Sequence, residues 1–268
     1  MFFFDFGEEK PVALSIEVNQ QPLRVYVEDV PLAQVAVSYK AFFNAERAMK
    51  LEGSPVIYYS RAPKVPSLEA TGDGELRDLV QGKYFGGLKV WSCTSDVCSF
   101  VSKHLATVDS KRVLEIGCGQ GLCGIMALMC GAQHVTFHDY NKEVLELCTK
   151  PNVAYNCCEK DLASTAAFCH GDWDEFSVTE EQKYDVILGA DVLYDVEACQ
   201  KVSSLIPRVL QTSGLVVLGT KEFYFGTNGG CREFEAALAQ SSPGMTMTTH
   251  PMTCETGMKR LIIVLERC

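Results

Sequence analysis

Apolar runs and stretches with apolar residues at helical spacing alternate along the chain from residue 94 onward. The apolar runs predict buried strands at 112–116, 134–138, 167–169, 185–189, 215–219, 245–250 and 261–265. The stretches between them predict helices at 94–105, 122–130, 142–158, 197–210 and 230–239, the first of them capped by Thr94. This order predicts an α/β fold: a Rossmann-like, seven-stranded, mostly parallel sheet with helices on both faces and an antiparallel C-terminal hairpin.

The first 80 residues carry a weaker pattern. Residues 23–27 alternate like a strand, residues 41–49 have helical spacing, and residues 56–60 form an apolar run. Prolines and glycines at 61–75 predict a loop. We therefore predict a small N-terminal extension, residues 1–80, followed by one large domain, residues 81–268.

Composition narrows the class of protein. The 268-residue chain has a net charge of -10 and a pI of about 5.0, which argues against direct binding of nucleic acid through a broad basic face. Its 13 cysteines include no C-x-x-C pair, so we expect reduced thiols and no metal site. We find neither a secretory signal nor an apolar run of about 18 residues. These features predict a cytoplasmic or nuclear protein without membrane association, and we expect a monomer.

The residues that follow the first four strands of the predicted sheet form the candidate site, because ligands of open parallel sheets bind at the carboxyl ends of the strands. They are Glu115, Gly117, Cys118, Gly119 and Gly121 after the first strand, Asp139, Tyr140 and Asn141 after the second, Gly171, Asp172 and Trp173 after the third, and Ala190, Asp191 and Tyr194 after the fourth. All four strand ends carry polar or aromatic residues, although the strands that precede them are apolar. That coincidence favours one shared ligand site over four unrelated solvated turns.

The glycines after the first strand fit two kinds of cofactor. Gly119, Gly121 and Gly124 have the spacing of a dinucleotide-binding turn, and Asp139 follows about 20 residues later, as a ribose-binding acid would. This interpretation predicts an NAD-dependent dehydrogenase. Glu115 favours another cofactor, because a carboxylate before the first glycine would repel a pyrophosphate and suits the cationic amino group of S-adenosylmethionine (SAM).

With SAM as the ligand, the other strand ends have matching partners. Asp139 can accept hydrogen bonds from the ribose hydroxyls, and Asp172 can accept one from the adenine amino group. Trp173 and its neighbours provide apolar cover. The strand ends together therefore favour SAM over a dinucleotide.

Several of these stretches resemble a known family. Residues 115–121, 138–141 and 191–194 resemble the seven-β-strand SAM-dependent methyltransferases that modify proteins. Residues 78–94, called the upstream segment below, are similar to a segment of the protein-histidine methyltransferases. Further stretches resemble that family in the same order: 151–156, 171–173, 224–230 and 257–263. The chain departs from the family pattern at Phe85, where an acid is frequent, and at Asp191, where Glu is frequent.

The resemblance implies methyl transfer from SAM to a histidine of a protein, with a basic large-subunit ribosomal protein as partner. It also implies that Trp91, Ser92, Cys93 and Thr94 line the SAM pocket. Trp91 can alternatively be a core aromatic residue at the sheet edge, or serve both roles, because an indole ring attracts a sulfonium cation. A lysine acceptor, a dehydrogenase and a non-enzymatic SAM-binding adaptor are the alternatives.

A histidine acceptor has a pKa of about 6.5, so at pH 7 it is mostly neutral and needs alignment and tautomer selection more than a strong base. Asp191 is the candidate for orienting the acceptor; its alternatives are binding the SAM amino group and capping the next helix. Tyr194 is either a wall of the acceptor channel or a core residue. Lys221 and Glu222 follow the fifth strand and either meet the substrate or stay solvated.

Overall fold

A computed structural model describes residues 25–29, 47–71, 75, 77–158, 160–252 and 258–267. Four parts of the predictions lie outside the described residues: positions 23–24 of the first strand, positions 41–46 of the following helix, glycines 72 and 74 of the loop, and residue 257 of the last resembling stretch.

Three antiparallel strands precede the main sheet: β1 (Val25–Asp29), β2 (Arg47–Leu51) and β3 (Ile57–Tyr59). The strand predicted at 56–60 is confirmed. The helix predicted at 41–49 is wrong over residues 47–49, which belong to β2. Pairing of β2 with both neighbours, and burial of Ala48, Met49 and Leu51, decide for the strand against the local helical spacing.

A seven-stranded sheet forms the centre of the molecule. Its strands are β4 (Arg112–Ile116), β5 (His134–Asp139), β6 (Ala166–His170), β7 (Tyr184–Ala190), β8 (Leu210–Lys221), β9 (Met245–Met252) and β10 (Arg260–Arg267). They lie in the order β6-β5-β4-β7-β8-β10-β9, and the first five pair in parallel while β10 lies antiparallel between β8 and β9. The predicted fold class is confirmed, and the strand order reverses between β4 and β7.

Helices cover both faces of this sheet. The α-helices of the described residues are α1 (Pro66–Glu69), α2 (Cys93–Lys103), α3 (Leu122–Met129), α4 (Lys142–Val144), α5 (Lys150–Asn156), α6 (Leu162–Thr165), α7 (Val196–Val209) and α8 (Cys231–Ser241). α2, α3 and α5 share a core with one face of the sheet, and α7 and α8 share a core with the other. In β4, Val113 points into the first core and Leu114 into the second, and both are fully buried. The strands therefore read as unbroken apolar runs, because neighbouring side chains enter different cores.

The helix predicted at 142–158 is interrupted. A π-helical turn, Leu145–Thr149, separates α4 from α5. Pro151 has no N–H to donate to the carbonyl four residues earlier, so the hydrogen-bonding pattern changes next to it.

Two smaller predictions also need correction. Thr94 does not cap α2, because the helix begins one residue earlier and Ser92 is its N-cap residue. The predicted loop at 61–75 contains the single turn of α1, which Pro66 begins at a position that tolerates proline.

Within the described ranges, none of the helices combines the length and hydropathy that a bilayer crossing needs. The same residues contain no cluster of three or more His, Cys, Asp or Glu side chains arranged to hold a metal ion.

Candidate functional site

A cavity of about 340 Å³ opens at the carboxyl ends of β4 to β7, where the strand order reverses. The predicted site lies here, and the volume falls in the range of small-molecule sites, about 300–1,000 Å³. The predicted residues that line the cavity are Trp91, Thr94, Glu115, Gly117, Cys118, Gly119, Asp139, Tyr140, Gly171, Asp172, Trp173, Ala190, Asp191 and Tyr194.

Four predicted residues are not part of this lining: Ser92, Cys93, Gly121 and Asn141. Ser92 is exposed as the N-cap residue of α2, and the other three support the cavity walls. Gly121 begins α3 with a φ of 76°, and the Asn141 side chain donates a hydrogen bond of 2.8 Å to the carbonyl of Lys83 in the upstream segment. Parallel topology brings the strand ends together, but it does not decide which side chain at each end faces the ligand.

Glu115 holds the start of α3 from below the glycine turn. Its Oε2 accepts the N–H of Gly124 at 2.9 Å, and its Oε1 accepts that of Cys123 at 3.3 Å. Burial raises the pKa of Glu115 to about 8, although these hydrogen bonds favour the ionised form. The nearest partners of this carboxyl group are therefore helix N–H groups, and its predicted contact with the SAM amino group stays a prediction.

Asp139 ties the glycine turn to the end of β5. Its Oδ2 accepts the N–H of Gly119 at 2.9 Å and its Oδ1 that of Asn141 at 3.0 Å. Burial raises the pKa of Asp139 to about 6, against the effect of these bonds. Each carboxylate oxygen can accept a second hydrogen bond, so Asp139 can still bind hydroxyl groups in the cavity that it lines.

The upstream segment covers the glycine turn closely. A β-carbon added to Gly119, which has a φ of 51°, would lie 3.0 Å from the carbonyl oxygen of Gly87. One added to Gly87 would lie 3.1 Å from Asp139 Oδ2. These approaches explain why glycine occupies both positions and show how the upstream segment shapes one wall of the cavity.

Asp172 forms an ion pair across the cavity rim. Its Oδ2 lies 2.7 Å from Lys201 Nζ, and its Oδ1 accepts the N–H of Asp174 at 3.0 Å. Although partial burial opposes the change, these bonds lower the pKa of Asp172. Lys201 also lies 3.0 Å from Glu197. The predicted bond from the adenine amino group to Asp172 must therefore share this carboxylate with Lys201.

Trp91 is held within the upstream segment. Its indole N–H donates to the carbonyl of Gly86 at 3.0 Å, and Lys89 Nζ lies 4.7 Å from its ring centroid. Lys221 Nζ, at the end of β8, lies 5.6 Å from the same centroid. The half-buried indole lines the cavity, as predicted, and it already contacts cations of the protein.

Asp191 is buried at the end of β7 in a left-handed conformation, with a φ of 55°. Its Oδ2 accepts the N–H of Cys93 at 2.8 Å and its Oδ1 accepts the hydroxyl of Tyr224 at 2.7 Å. Lys221 Nζ lies 3.3 Å from Oδ1. Asp191 thus satisfies the first N–H of α2, which precedes it in the chain. The suggestion that it caps the following helix is wrong, because Asp195 caps α7.

Aromatic residues form the mouth of the cavity. The Phe85 ring contacts Tyr140 edge-on at 4.8 Å and Tyr194 at 6.2 Å between ring centroids. Phe225 and Met258 line the outer rim and are 81% and 45% exposed. Tyr194 is partly buried and lines the cavity, and its role as a wall of the acceptor channel stays a prediction.

Sequence reasoning missed several residues of the site. Gln120, Val192 and Lys201 line the cavity, and Tyr224 supports Asp191, yet none was named as a site residue. Gln120 lies inside the glycine motif, so its position was a usable signal. Lys201 is 29 positions away from Asp172 along the chain, and no local pattern joins them.

The matches with known proteins agree on protein methyltransferases but differ in the acceptor residue that they name. A family profile described as lysine methyltransferase matches residues 79–226. A histidine protein methyltransferase 1 homolog of Dictyostelium discoideum is 40% identical over 60% of this chain and 51% of its own length. The homolog of the same name from Bos taurus is 34% identical over 69% of this chain and 56% of its own length. The chain thus spans about half the length of these curated relatives.

Solved structures agree on the fold. The N-methyltransferase NodS of Bradyrhizobium japonicum, in complex with S-adenosyl-L-homocysteine (SAH), has a TM-score of 0.50 at 16% identity. The match covers 64% of this chain and 85% of NodS. At this identity the similarity supports the methyltransferase fold alone.

Proposed function

We propose that this chain, which belongs to the family described as lysine methyltransferase, transfers a methyl group from SAM to a histidine side chain of a protein. Family membership also confirms the predicted cofactor, SAM, and sets the dehydrogenase alternative aside. The observation that carries the proposal is the cavity at the reversal of strand order, lined by an acid at the end of each of four strands.

The cavity walls fit the chemical groups of SAM. SAM supplies an activated methyl group on a cationic sulfur. Asp139 has acceptor capacity for the ribose hydroxyls, Trp173 can cover the adenine, and the turn at Gly117 to Gly119 leaves space where side chains would clash. A β-carbon on Gly117 would lie 2.9 Å from Val192 and 3.3 Å from Trp173. The protein's part in the reaction is to align the donor with the acceptor and to exclude water.

The hydrogen-bond and ion-pair partners of Asp191 support an acceptor that is already neutral. Three donors surround its carboxylate: Cys93 N–H, the Tyr224 hydroxyl and the Lys221 ammonium. These donors already engage the carboxylate, and an imidazole, which is mostly neutral at pH 7, needs no general base to remove a proton before it attacks. The names of the two curated relatives also point to histidine as the acceptor. We retain Asp191 as the group that orients the imidazole.

The mouth of the cavity supports a protein as substrate. Exposed Phe225 and Met258 line the cavity and offer apolar contacts to a protein segment. The net charge of -10 would attract a basic segment. A large-subunit ribosomal protein is our candidate partner, and location in the cytosol or nucleus stays a prediction.

Labelled SAM and a protein extract test the proposal. After incubation, the labelled protein is hydrolysed to amino acids, and methylhistidine and methyllysine are measured. Methylhistidine supports the proposal, whereas methyllysine supports the alternative that the family's description favours. Binding of SAM without any labelled protein, over varied conditions, would support the adaptor.

Asp191→Asn tests the orienting role separately. SAH affinity is measured by calorimetry and methyl transfer by label incorporation. Reduced transfer at nearly unchanged SAH affinity is expected. Unchanged transfer with weakened SAH binding would show that Asp191 serves the cofactor instead.

A further inference from the structure

Lys221 is an unusual residue for the wall of a site that must accept a cationic cofactor. It ends β8, lines the cavity, and leaves only 14% of its side chain exposed. Its ammonium lies 3.3 Å from Asp191 Oδ1, 4.7 Å from the Tyr224 ring centroid and 5.6 Å from the Trp91 ring centroid. Lysine is seldom held this far from water without a specific partner.

The ammonium balances the charge of this wall. Arg260, opposite Lys221 on the neighbouring strand, pairs with Asp96 at 2.6 Å, and Asp96 is fully buried. Lys221 pairs in the same way with Asp191. Two acids and two bases therefore meet near the start of α2, and these four charges cancel one another.

This balance matters for the choice of acceptor. A lysine acceptor arrives as an ammonium ion, which needs a nearby carboxylate and must lose a proton before it can attack the methyl group. A bare Asp191 carboxylate about 4 Å from that ammonium, in a medium of effective dielectric about 20, would attract it by an amount equal to about a thousandfold in binding. The Lys221 ammonium, 3.3 Å from Asp191, cancels most of this attraction, whereas a neutral imidazole does not depend on it.

Resting on the proposed methyl transfer, we infer that Lys221 is a specificity-determining residue, which neutralises Asp191 and so excludes lysine in favour of histidine. The two aromatic rings beside its ammonium hold the charge in place by cation–π attraction. Removal of the ammonium would leave the Asp191 carboxylate available to bind a lysine substrate. The site needs no contact that specifically favours imidazole, because exclusion of the competing lysine cation is enough.

Lys221→Met and Lys221→Gln test this inference, with Lys221→Arg to keep the charge. Lys259→Met is the matched control, because Lys259 is 77% exposed, does not line the cavity and pairs only loosely with Glu222, at 3.5 Å. Each variant is incubated with labelled SAM and a protein extract, and the ratio of methyllysine to methylhistidine is measured after hydrolysis. SAH affinity, measured by calorimetry, establishes that each variant is folded.

We expect the ratio to rise at least tenfold in Lys221→Met and in Lys221→Gln, and to stay near the wild-type value in the other two variants. The glutamine variant separates the charge from the hydrogen bond, because its amide can still donate to Asp191. If the wild-type protein forms methylhistidine but the ratio is unchanged in both neutral variants, this inference is overturned and the proposed function stands. Mainly methyllysine from the wild-type protein overturns both, and so does the absence of label transfer.

Discussion

Replacement of Glu115 by Gln should remove a large part of the pH dependence of stability. Glu115 is fully buried beneath the glycine turn, and burial raises its pKa from 4.5 to about 8. A raised pKa means that the folded protein binds the proton more tightly than the unfolded chain. The resulting stability is complete below pH 4.5 and is lost as the pH rises towards 8.

The size of the effect follows from the two pKa values. A pKa of 4.5 in the unfolded chain and about 8 in the folded protein corresponds to about 4 kcal/mol of stability lost between pH 4.5 and pH 8. Glutamine does not titrate, so this loss is absent in the variant. Its amide nitrogen cannot accept a hydrogen bond from Cys123 or Gly124, as either oxygen of the carboxyl group can, which costs about 1–3 kcal/mol.

Urea unfolding of both proteins between pH 5 and pH 8, in the absence of SAM, measures the difference. We expect Glu115→Gln to be less stable than the wild type at pH 5 and to gain about 3–4 kcal/mol relative to it by pH 8. Asp139, whose pKa is also raised, titrates in both proteins and largely cancels from the comparison. A difference in free energy of unfolding that is constant across this pH range would refute the reasoning.

Three further substitutions test other parts of the structure. Gly119→Ala should weaken SAH binding at least tenfold, because a β-carbon there meets the upstream segment; calorimetry measures this. Phe225→Ser should lower kcat/KM for the protein substrate several-fold while SAH affinity is unchanged, because its ring is 81% exposed at the rim. Arg260→Met should destabilise the fold by about 3–5 kcal/mol, measured by urea unfolding, since it leaves a fully buried carboxylate unpaired.

Matched controls separate these effects from general strain. Gly53→Ala has the same left-handed strain, with a φ of 74°, but open space around the new β-carbon, so SAH affinity should not change. Leu105→Ser removes an apolar side chain that is 53% exposed away from the cavity, and methyl transfer should be unaffected. Equal losses in a variant and its control would contradict the role assigned to that residue.

The sequence by itself determined the central sheet and the location of the site. The direction of a side chain along a strand depends only on its position, so residues such as Val113 and Leu114 enter opposite cores and mark a strand buried on both faces. Parallel strands joined by helices must end at one edge. This is why the sequence alone predicts one site for Asp139 and Asp191, 52 positions apart, and both line the cavity.

Tertiary structure decided which partner each of these side chains has. Asp191 bonds to the start of a helix that precedes it by 98 positions, and Asp172 pairs with Lys201, because packing of separate elements brings their charges together. The same holds for β2, where pairing with two neighbouring strands outweighs local helical spacing. Hydrophobic periodicity is a property of neighbouring residues in the sequence. Hydrogen-bond and ion-pair partners depend instead on how elements that are distant in the sequence pack together. The charge balance between Lys221 and Asp191 is a contact of this second kind, and only the folded chain shows it.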